Sequence, residues 1–179
     1  TLSGVSYTYP SAVEPILKDV SITFPQGWSG LLGDNGCGKT TLAKIVCGMI
    51  EPDAGAVTRG LFALMCAQET ATPPDGLSDF ALDYGREARE LRRIFRIEDD
   101  MAWRYDELSC GEQKKLQVAT TLWQRPDVLV LDEPTNHIDH EAREQLTCAL
   151  RRFNGIGILV SHDRELLDAL AERCVSFEA

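Results

Sequence analysis

The stretch GDNGCGKTT, residues 33–41, decides the fold. Its first glycine is followed, after four residues, by a second glycine, a lysine and a threonine, and it separates a predicted strand at 28–32 from a predicted helix at 40–49. Glycines let successive backbone N–H groups turn towards a phosphate with no side chain in the way, and the helix N-terminus adds a favourable dipole. We therefore predict a phosphate-binding loop.

The residues of this loop have distinct expected roles. Lys39 is expected to reach the β- and γ-phosphates of a nucleotide, the Thr40 hydroxyl to ligate Mg²⁺, and Thr41 to contact the α-phosphate. The remaining phosphate-binding candidates are Gly33, Asp34, Asn35, Gly36, Cys37 and Gly38.

A pair of carboxylates follows a second apolar run. In VLVLDE, residues 128–133, a strand buried on both faces delivers Asp132 and Glu133 to its carboxyl end, where open α/β sheets bind their ligands. We expect Asp132 to hold Mg²⁺ through water and Glu133 to polarise an attacking water as a general base. Two solvated acids that end a strand are the alternative, which the phosphate-binding loop upstream disfavours.

The other elements are predicted from hydrophobic periodicity and turn residues. Strand-like segments at 2–9 and 16–24 predict a β region near the N-terminus. Further predictions are one or two strands within 56–68, helices at about 77–96, 109–123, 141–153 and 165–172, and a strand at 156–160. Within 77–96, the side chains expected to point inward are Phe80, Tyr84, Leu91 and Ile94. The strand–helix alternation in the second half predicts an α/β fold with a parallel sheet.

The composition limits the classes of partner. The formal net charge of −10 argues against nucleic-acid binding by this segment alone, because phosphate neutralisation needs clustered Lys and Arg. No run of eighteen apolar residues or signal-peptide pattern occurs, so no membrane span is expected. The six cysteines lack metal-ligand spacing and are interpreted as thiols in a reducing cytosol. His137 and His140 are three residues apart at a predicted helix start, a spacing that is more often found in solvated loops than in metal sites.

The segment ELSCGEQKKLQVA, residues 107–119, resembles the signature motif of the ATP-binding cassette (ABC) family, usually LSGGQ or LSGGE. The resemblance covers Leu2 to about Val175. It implies a P-loop NTPase fold of ABC type, α/β, with an N-terminal antiparallel β subdomain and a small helical subdomain at about 77–120, in a single domain over 1–179. It also implies ATP and Mg²⁺ as cofactors and ATP hydrolysis. It further implies a second ABC domain, and Ser109 and Gly111 would contact the γ-phosphate of the ATP bound to that domain. A helix-capping box formed by Ser109 and Glu112 is the plain alternative.

Four further residues fall in the order of the family's motifs. Gln68 matches the glutamine that senses Mg²⁺ and the attacking water, and Asp139, in PTNHID, resembles the aspartate that follows the carboxylates. His162, in LVSHD, resembles the histidine that contacts the γ-phosphate. Tyr9 resembles the aromatic residue that stacks on adenine, with Tyr7 as the fallback, although a strand tyrosine is usually core or cross-strand packing.

The segments LDEPTNHIDHEA and VSHDRELLD are similar to the ABC-F branch, cytoplasmic ATPases that act on ribosomes. This resemblance implies a fragment of a longer tandem protein and a ribosome contact through parts outside the segment. Two alternatives remain open: the ATPase subunit of a membrane transporter, and a non-hydrolysing regulatory domain. The sequence departs from the family pattern at Cys110, where the first signature glycine is expected, and this departure puts the contact with the partner's nucleotide in doubt.

Overall fold

The chain forms two β-sheets with helices packed against them in a computed structural model that describes residues 1–136 and 138–177. A three-stranded antiparallel sheet has the order β2-β1-β4, and a five-stranded parallel sheet has the order β5-β6-β7-β3-β8. The strands are β1 Leu2–Tyr7, β2 Leu17–Ile22, β3 Gly27–Leu32, β4 Ala54–Val57, β5 Ala63–Cys66, β6 Val128–Asp132, β7 Ile156–Val160 and β8 Arg173–Ser176. The helices are α1 Lys39–Val46, α2 Leu77–Leu82, α3 Arg86–Phe95, α4 Cys110–Trp123, α5 His140–Leu150 and α6 Arg164–Leu170, and a 3₁₀ segment covers Met101–Glu107.

The parallel sheet brings the ends of its central strands to one edge. Val160 is the register partner of both Leu31 on β3 and Asp132 on β6. Because the three strands run in the same direction, the loops that follow them leave the sheet at this edge. The phosphate-binding loop, the carboxylates and the residues after β7 are therefore neighbours in space although they are far apart in the chain.

Strand β6 is buried along its whole length, as its apolar run predicts. Val128 and Val130 pack into one apolar cluster with α1, and Leu129 and Leu131 pack into a second cluster with α4 and α5. Side chains alternate between the faces of a strand, so both faces of this strand meet a core. This double burial fixes the strand end that carries Asp132.

The antiparallel sheet and the helical region confirm the predicted architecture but correct several boundaries. The predicted helix at 77–96 is two helices, because the chain is extended at Asp83, the residue that ends α2. The prediction that Tyr84 points inward is wrong: this residue is 64% exposed in the connection between the helices. Phe80 and Leu91 are buried as predicted, and Ile94 packs against the same cluster.

The prediction of one or two strands within 56–68 agrees with the strands β4 and β5, and two other elements were not predicted. The strand-like stretch at 56–68 divides between two sheets, because β4 pairs with β1 and β5 pairs with β6. The 3₁₀ segment at Met101–Glu107 and the edge strand β8 were not predicted. Among the described residues, no helix has the length and apolar character needed to cross a membrane.

Candidate nucleotide-binding site

The phosphate-binding loop connects β3 to α1, as predicted from its spacing. Gly38 precedes the helix with φ 100°, a conformation that L side chains rarely adopt. A Cβ at this position would lie 2.8 Å from Leu17 Cδ2 and 3.1 Å from the carbonyl oxygen of Ile16. Glycine is therefore required both by the backbone conformation and by the close approach of β2.

The loop folds around the lysine side chain. Lys39 is 8% exposed, and its Nζ donates hydrogen bonds of 2.7 Å to the carbonyl oxygens of both Gly33 and Asp34. These bonds hold a positive charge at the centre of the loop. The ammonium lies where phosphate oxygens could replace the two carbonyl acceptors.

A hydroxyl and a carboxylate meet beside the loop. Thr40 Oγ1 donates a 2.7 Å hydrogen bond to Oδ2 of Asp132, which is 4% exposed. Mg²⁺ prefers oxygen ligands and keeps several waters, so one hydroxyl and one adjacent carboxylate fit this ion. The role of these two residues as metal ligands stays a prediction.

Glu133 and His162 lie together at the carboxyl edge of the sheet. His162 Nε2 is 3.5 Å from Glu133 Oε1 and 3.1 Å from Asn35 Oδ1. The backbone N–H of Glu133 donates a 2.8 Å hydrogen bond to the carbonyl of Val160, which fixes the carboxylate-bearing turn against β7. The histidine therefore bridges the phosphate-binding loop and the acid expected to act as base.

The environment of Glu133 suits a general base. Burial raises the pKa of its carboxyl group, and the hydrogen bond from the His162 backbone N–H and the nearby imidazole act in the opposite direction. A raised pKa makes a carboxylate a better proton acceptor at a given pH. Its backbone has φ 45°, a left-handed conformation that is uncommon for a residue other than glycine.

A cleft of about 300 Å³ joins these groups. Tyr9 and Gln68 line it together with the loop and the carboxylates, and their roles towards adenine and Mg²⁺ stay predictions. Tyr9 is 37% exposed and hydrogen bonds through its hydroxyl to Thr41 Oγ1 at 2.9 Å, whereas the Tyr7 ring packs edge-on against it at 5.1 Å. Tyr9 is thus better placed than Tyr7 to contact a base.

A larger cavity of about 630 Å³ lies at the opposite end of the parallel strands, near Asp127 and Ile156. Its charged rim is already paired, with Glu87 bound to Arg125 and Glu90 bound to Arg152. None of the motif residues lines this cavity. Chemistry rather than size therefore identifies the candidate site.

The signature segment lies outside the cleft of its own chain. Ser109 caps α4 in a capping box with Glu112: the Glu112 N–H donates to Ser109 Oγ at 3.3 Å, and the Ser109 N–H donates to Glu112 Oε2 at 2.9 Å. The Ser109 hydroxyl, which donates a 2.8 Å hydrogen bond to Glu112 Oε2, and the Ser109 backbone N–H both lower the pKa of the Glu112 carboxyl. Cys110 is exposed and Gly111 is half-buried, so the first turn of α4 presents a surface. The capping alternative is confirmed, and it leaves this surface accessible.

Asp139 also lies outside the cleft and caps α5, accepting a 2.7 Å hydrogen bond from the Ala142 N–H. His140 is the exposed first residue of that helix, and His137 lies outside the described residues. In the part of the chain that the structure describes, no group of three metal-ligating side chains occurs.

Comparison with known proteins agrees with this geometry. The family model described as ABC transporter matches residues 17–136, which include the phosphate-binding loop, the signature segment and the carboxylate strand. The chain belongs to the ABC ATPase family. Within that family this ABC domain is close to the ABC-F branch, as its LDEPTNHIDHEA segment predicts.

Three relatives illustrate the range of matching proteins. A Nitratidesulfovibrio vulgaris protein, provisionally described as an ABC transporter ATP-binding protein, is 32% identical over 99% of this chain and 74% of its own length. The ribosome protection protein VmlR of Bacillus subtilis is 35% identical over 99% of this chain, and the ATP-binding protein Uup of Caulobacter vibrioides is 35% identical over 92%. The ABC domain spans 31% of VmlR and 28% of Uup.

Solved structures confirm the fold. The ATP-binding cassette MJ0796, in a dimeric structure bound to ADP and Pi, superposes with a TM-score of 0.83 over 99% of this chain and 93% of that chain, at 21% identity. At this identity the likeness shows the ABC fold alone. Membership of the ABC family assigns ATP binding to this domain, whereas the roles of its individual residues remain predictions.

Sequence reasoning missed one group of polar residues. Lys114 and Gln117 on α4 hold the segment around Gln68 by hydrogen bonds. Their i, i+3 spacing on a helix was visible in the sequence, but polar residues at this spacing usually face solvent. Only the packing of α4, which is buried on nearly every side, turns them inward.

Proposed function

We propose that this ABC domain hydrolyses ATP in the presence of Mg²⁺ at a site that a second ABC domain completes. The observation that carries the proposal is the convergence, in one cleft, of Lys39, the Thr40–Asp132 pair and Glu133. These groups supply a cation for phosphates, oxygen ligands for a metal and a base for water. A module that only binds nucleotide has no need of the base.

The chain's own residues then divide the chemistry. Lys39 binds the β- and γ-phosphates, and Thr40 and Asp132 would hold a metal ion that neutralises charge on these phosphates. Glu133 accepts a proton from the attacking water through its carboxylate. His162 orients that carboxylate from one side and meets the loop through Asn35 on the other.

The position of the signature segment supports the second domain. Ser109 and Gly111 lie on the first turn of α4 and outside their own cleft, so they can donate to a γ-phosphate only across an interface. A γ-phosphate that bridges two domains would hold them closed, and its removal by hydrolysis would release them. The second domain is either another copy of this chain or another part of the same polypeptide.

We propose the ribosome as the target of this motion and the cytoplasm as its location. The ABC-F-like segments and the similarity to VmlR support this choice. The net charge of −10 argues against this segment holding RNA by itself, so a ribosome contact would come from local patches or from parts of the protein outside this domain. The second candidate is the ATPase subunit of a membrane transporter, which the Nitratidesulfovibrio relative favours.

The proposal is tested by ATP turnover at increasing concentrations of the purified chain. Turnover per chain should rise with protein concentration. Over the same concentration range, sedimentation in the presence of ATP should show dimers. Turnover that stays constant in a demonstrated monomer would contradict the composite site. Pull-down of the tagged full-length protein from cells separates the targets: ribosomal RNA in the eluate supports the ribosome, and a membrane subunit supports the transporter.

A further inference from the structure

Four consecutive residues after β5 are tied to α4. Lys114 Nζ donates hydrogen bonds to the carbonyl oxygens of Ala67 at 2.7 Å and Gln68 at 3.1 Å. Gln117 Nε2 donates to the carbonyl of Glu69 at 3.2 Å. We call Lys114 and Gln117 the α4 clamp. The clamp fixes the backbone of residues 67–69, which carries the Gln68 side chain.

Thr70, the fourth of these residues, belongs to a closed ring of buried hydrogen bonds. Thr70 Oγ1 donates to Gln113 Oε1 at 2.9 Å, and Gln113 Nε2 donates to the carbonyl of Tyr105 at 3.1 Å. The Tyr105 hydroxyl returns to the carbonyl of Thr70 at 2.7 Å. This ring fixes the far end of the 67–70 segment to the same helix, so the segment can move little without α4.

Lys114 is difficult to explain by stability alone. It is 3% exposed, and its third hydrogen bond goes to Gln117 Oε1 at 2.8 Å, so all three acceptors are neutral oxygens. Burial lowers the pKa of its ammonium group, and no carboxylate among the described residues forms an ion pair with it. An apolar side chain at a buried position is often at least as stable as a buried charge. The three fixed donors therefore indicate a function in holding the segment.

The same helix carries the signature surface. Ser109 caps α4, and Lys114 follows five residues later, which corresponds to about 7.5 Å along a helix axis. Helix α4 is continuous over this distance, so a shift of its first turn carries the clamp with it. The clamp in turn holds Gln68, which lines the cleft of its own chain.

We propose that Lys114 is a positioning residue that couples the signature surface of α4 to the placement of Gln68 in the nucleotide cleft. When a second domain contacts the first turn of α4, the clamp sets the position of Gln68 beside the metal ligands. This role rests on the proposed composite-site hydrolysis. It adds a physical link, within one chain, between the surface that serves the partner's nucleotide and the cleft that holds its own.

The test compares Lys114→Met with Lys115→Met, a matched control on the next residue of the same helix. Methionine keeps most of the lysine volume but removes every donor. Lys115 is half-buried and makes no side-chain hydrogen bond in the described part of the chain. Three quantities are measured for each protein: ATP affinity by calorimetry, kcat at a concentration where the parent is dimeric, and amide hydrogen exchange of residues 67–70 without nucleotide.

Lys114→Met should retain the ATP affinity of the parent and lose about 10²-fold in kcat, because displacement of a group at the reacting centre by about 1 Å can have this effect. Exchange at residues 67–70 should become faster, while exchange in β6 stays unchanged. Lys115→Met should behave as the parent in all three measurements. If Lys114→Met does not fold, Gln117→Met replaces it in the test, because it removes the hydrogen bond to Glu69. This variant should show a smaller loss in kcat and a smaller rise in exchange at residues 67–70.

Two results overturn the proposal. Parent-like kcat in Lys114→Met with faster exchange means that the clamp is structural only, and a fall in kcat with unchanged exchange means that Lys114 does not act through the 67–70 segment. Absence of turnover in the parent at every concentration refutes the proposed hydrolysis instead. The exchange comparison then still decides whether the clamp exists.

Discussion

Replacement of Glu133 is expected to stabilise the fold while it removes turnover. Two features of this residue oppose folding: burial raises the pKa of its carboxyl group, and its backbone has φ 45°. Glu133 is nevertheless half-buried at a position that lines the cleft, where its carboxylate can meet water. The residue thus lowers stability in the same conformation that serves catalysis.

Glu133→Gln separates the effect of charge. A carboxyl group whose pKa is raised by folding stabilises the folded state below its unfolded pKa, and this contribution disappears as the pH rises through the folded pKa. At neutral pH the ionised group therefore disfavours folding, and neutral glutamine should raise the melting temperature. The difference should vanish below about pH 4, where glutamate is protonated in both states.

Glu133→Gly adds the effect of the backbone. A left-handed conformation disfavours an L-residue by about 1–2 kcal/mol, and the extra freedom of glycine in the unfolded chain offsets about 0.5–1 kcal/mol of the relief. The net gain over Glu133→Gln is about 0–1.5 kcal/mol. In a domain of this size, that gain corresponds to a rise of at most about 6 °C in melting temperature.

The assay is thermal unfolding without nucleotide at neutral and acid pH, followed by steady-state turnover of the same preparations. Turnover should fall by about 10² or more in both variants, while ATP binding persists. The interpretation is refuted if Glu133→Gln melts below the parent at neutral pH. Undiminished turnover would show that another group activates the water.

Three further outcomes are expected. Lys39→Ala should leave the fold intact and weaken ATP binding markedly, and equal affinity by calorimetry would remove this lysine from the phosphate site. The acid limb of the kcat/KM profile should lie above the ordinary glutamate pKa, because the raised pKa of Glu133 in the nucleotide-free chain protonates the base earlier as pH falls; a limb at or below that value would contradict the assignment. Cys110→Gly should raise turnover or tighten dimerisation in ATP only where two domains associate, and identical behaviour of parent and variant would show that the thiol faces away from the nucleotide.

The chemistry of the site was readable from the sequence because its parts are local. Lys39 and Thr40 are placed by a loop and a helix start only a few residues away, and Asp132 by the apolar run before it. In such motifs, residues that are close in the chain determine the backbone geometry of the site. The phosphate-binding loop, the carboxylate strand and the α/β class therefore followed from spacing and periodicity.

Tertiary structure decided what depends on distant residues. The contact between His162 and Asn35 spans 127 positions, and β4 and β5 join different sheets although five residues separate them. No local pattern encodes these pairings, because sheet topology sets them through register and burial. Likewise, the sequence of α4 places Lys114 on a polar-looking helix, and only the packing around that helix turns its ammonium group onto the carbonyls of Ala67 and Gln68.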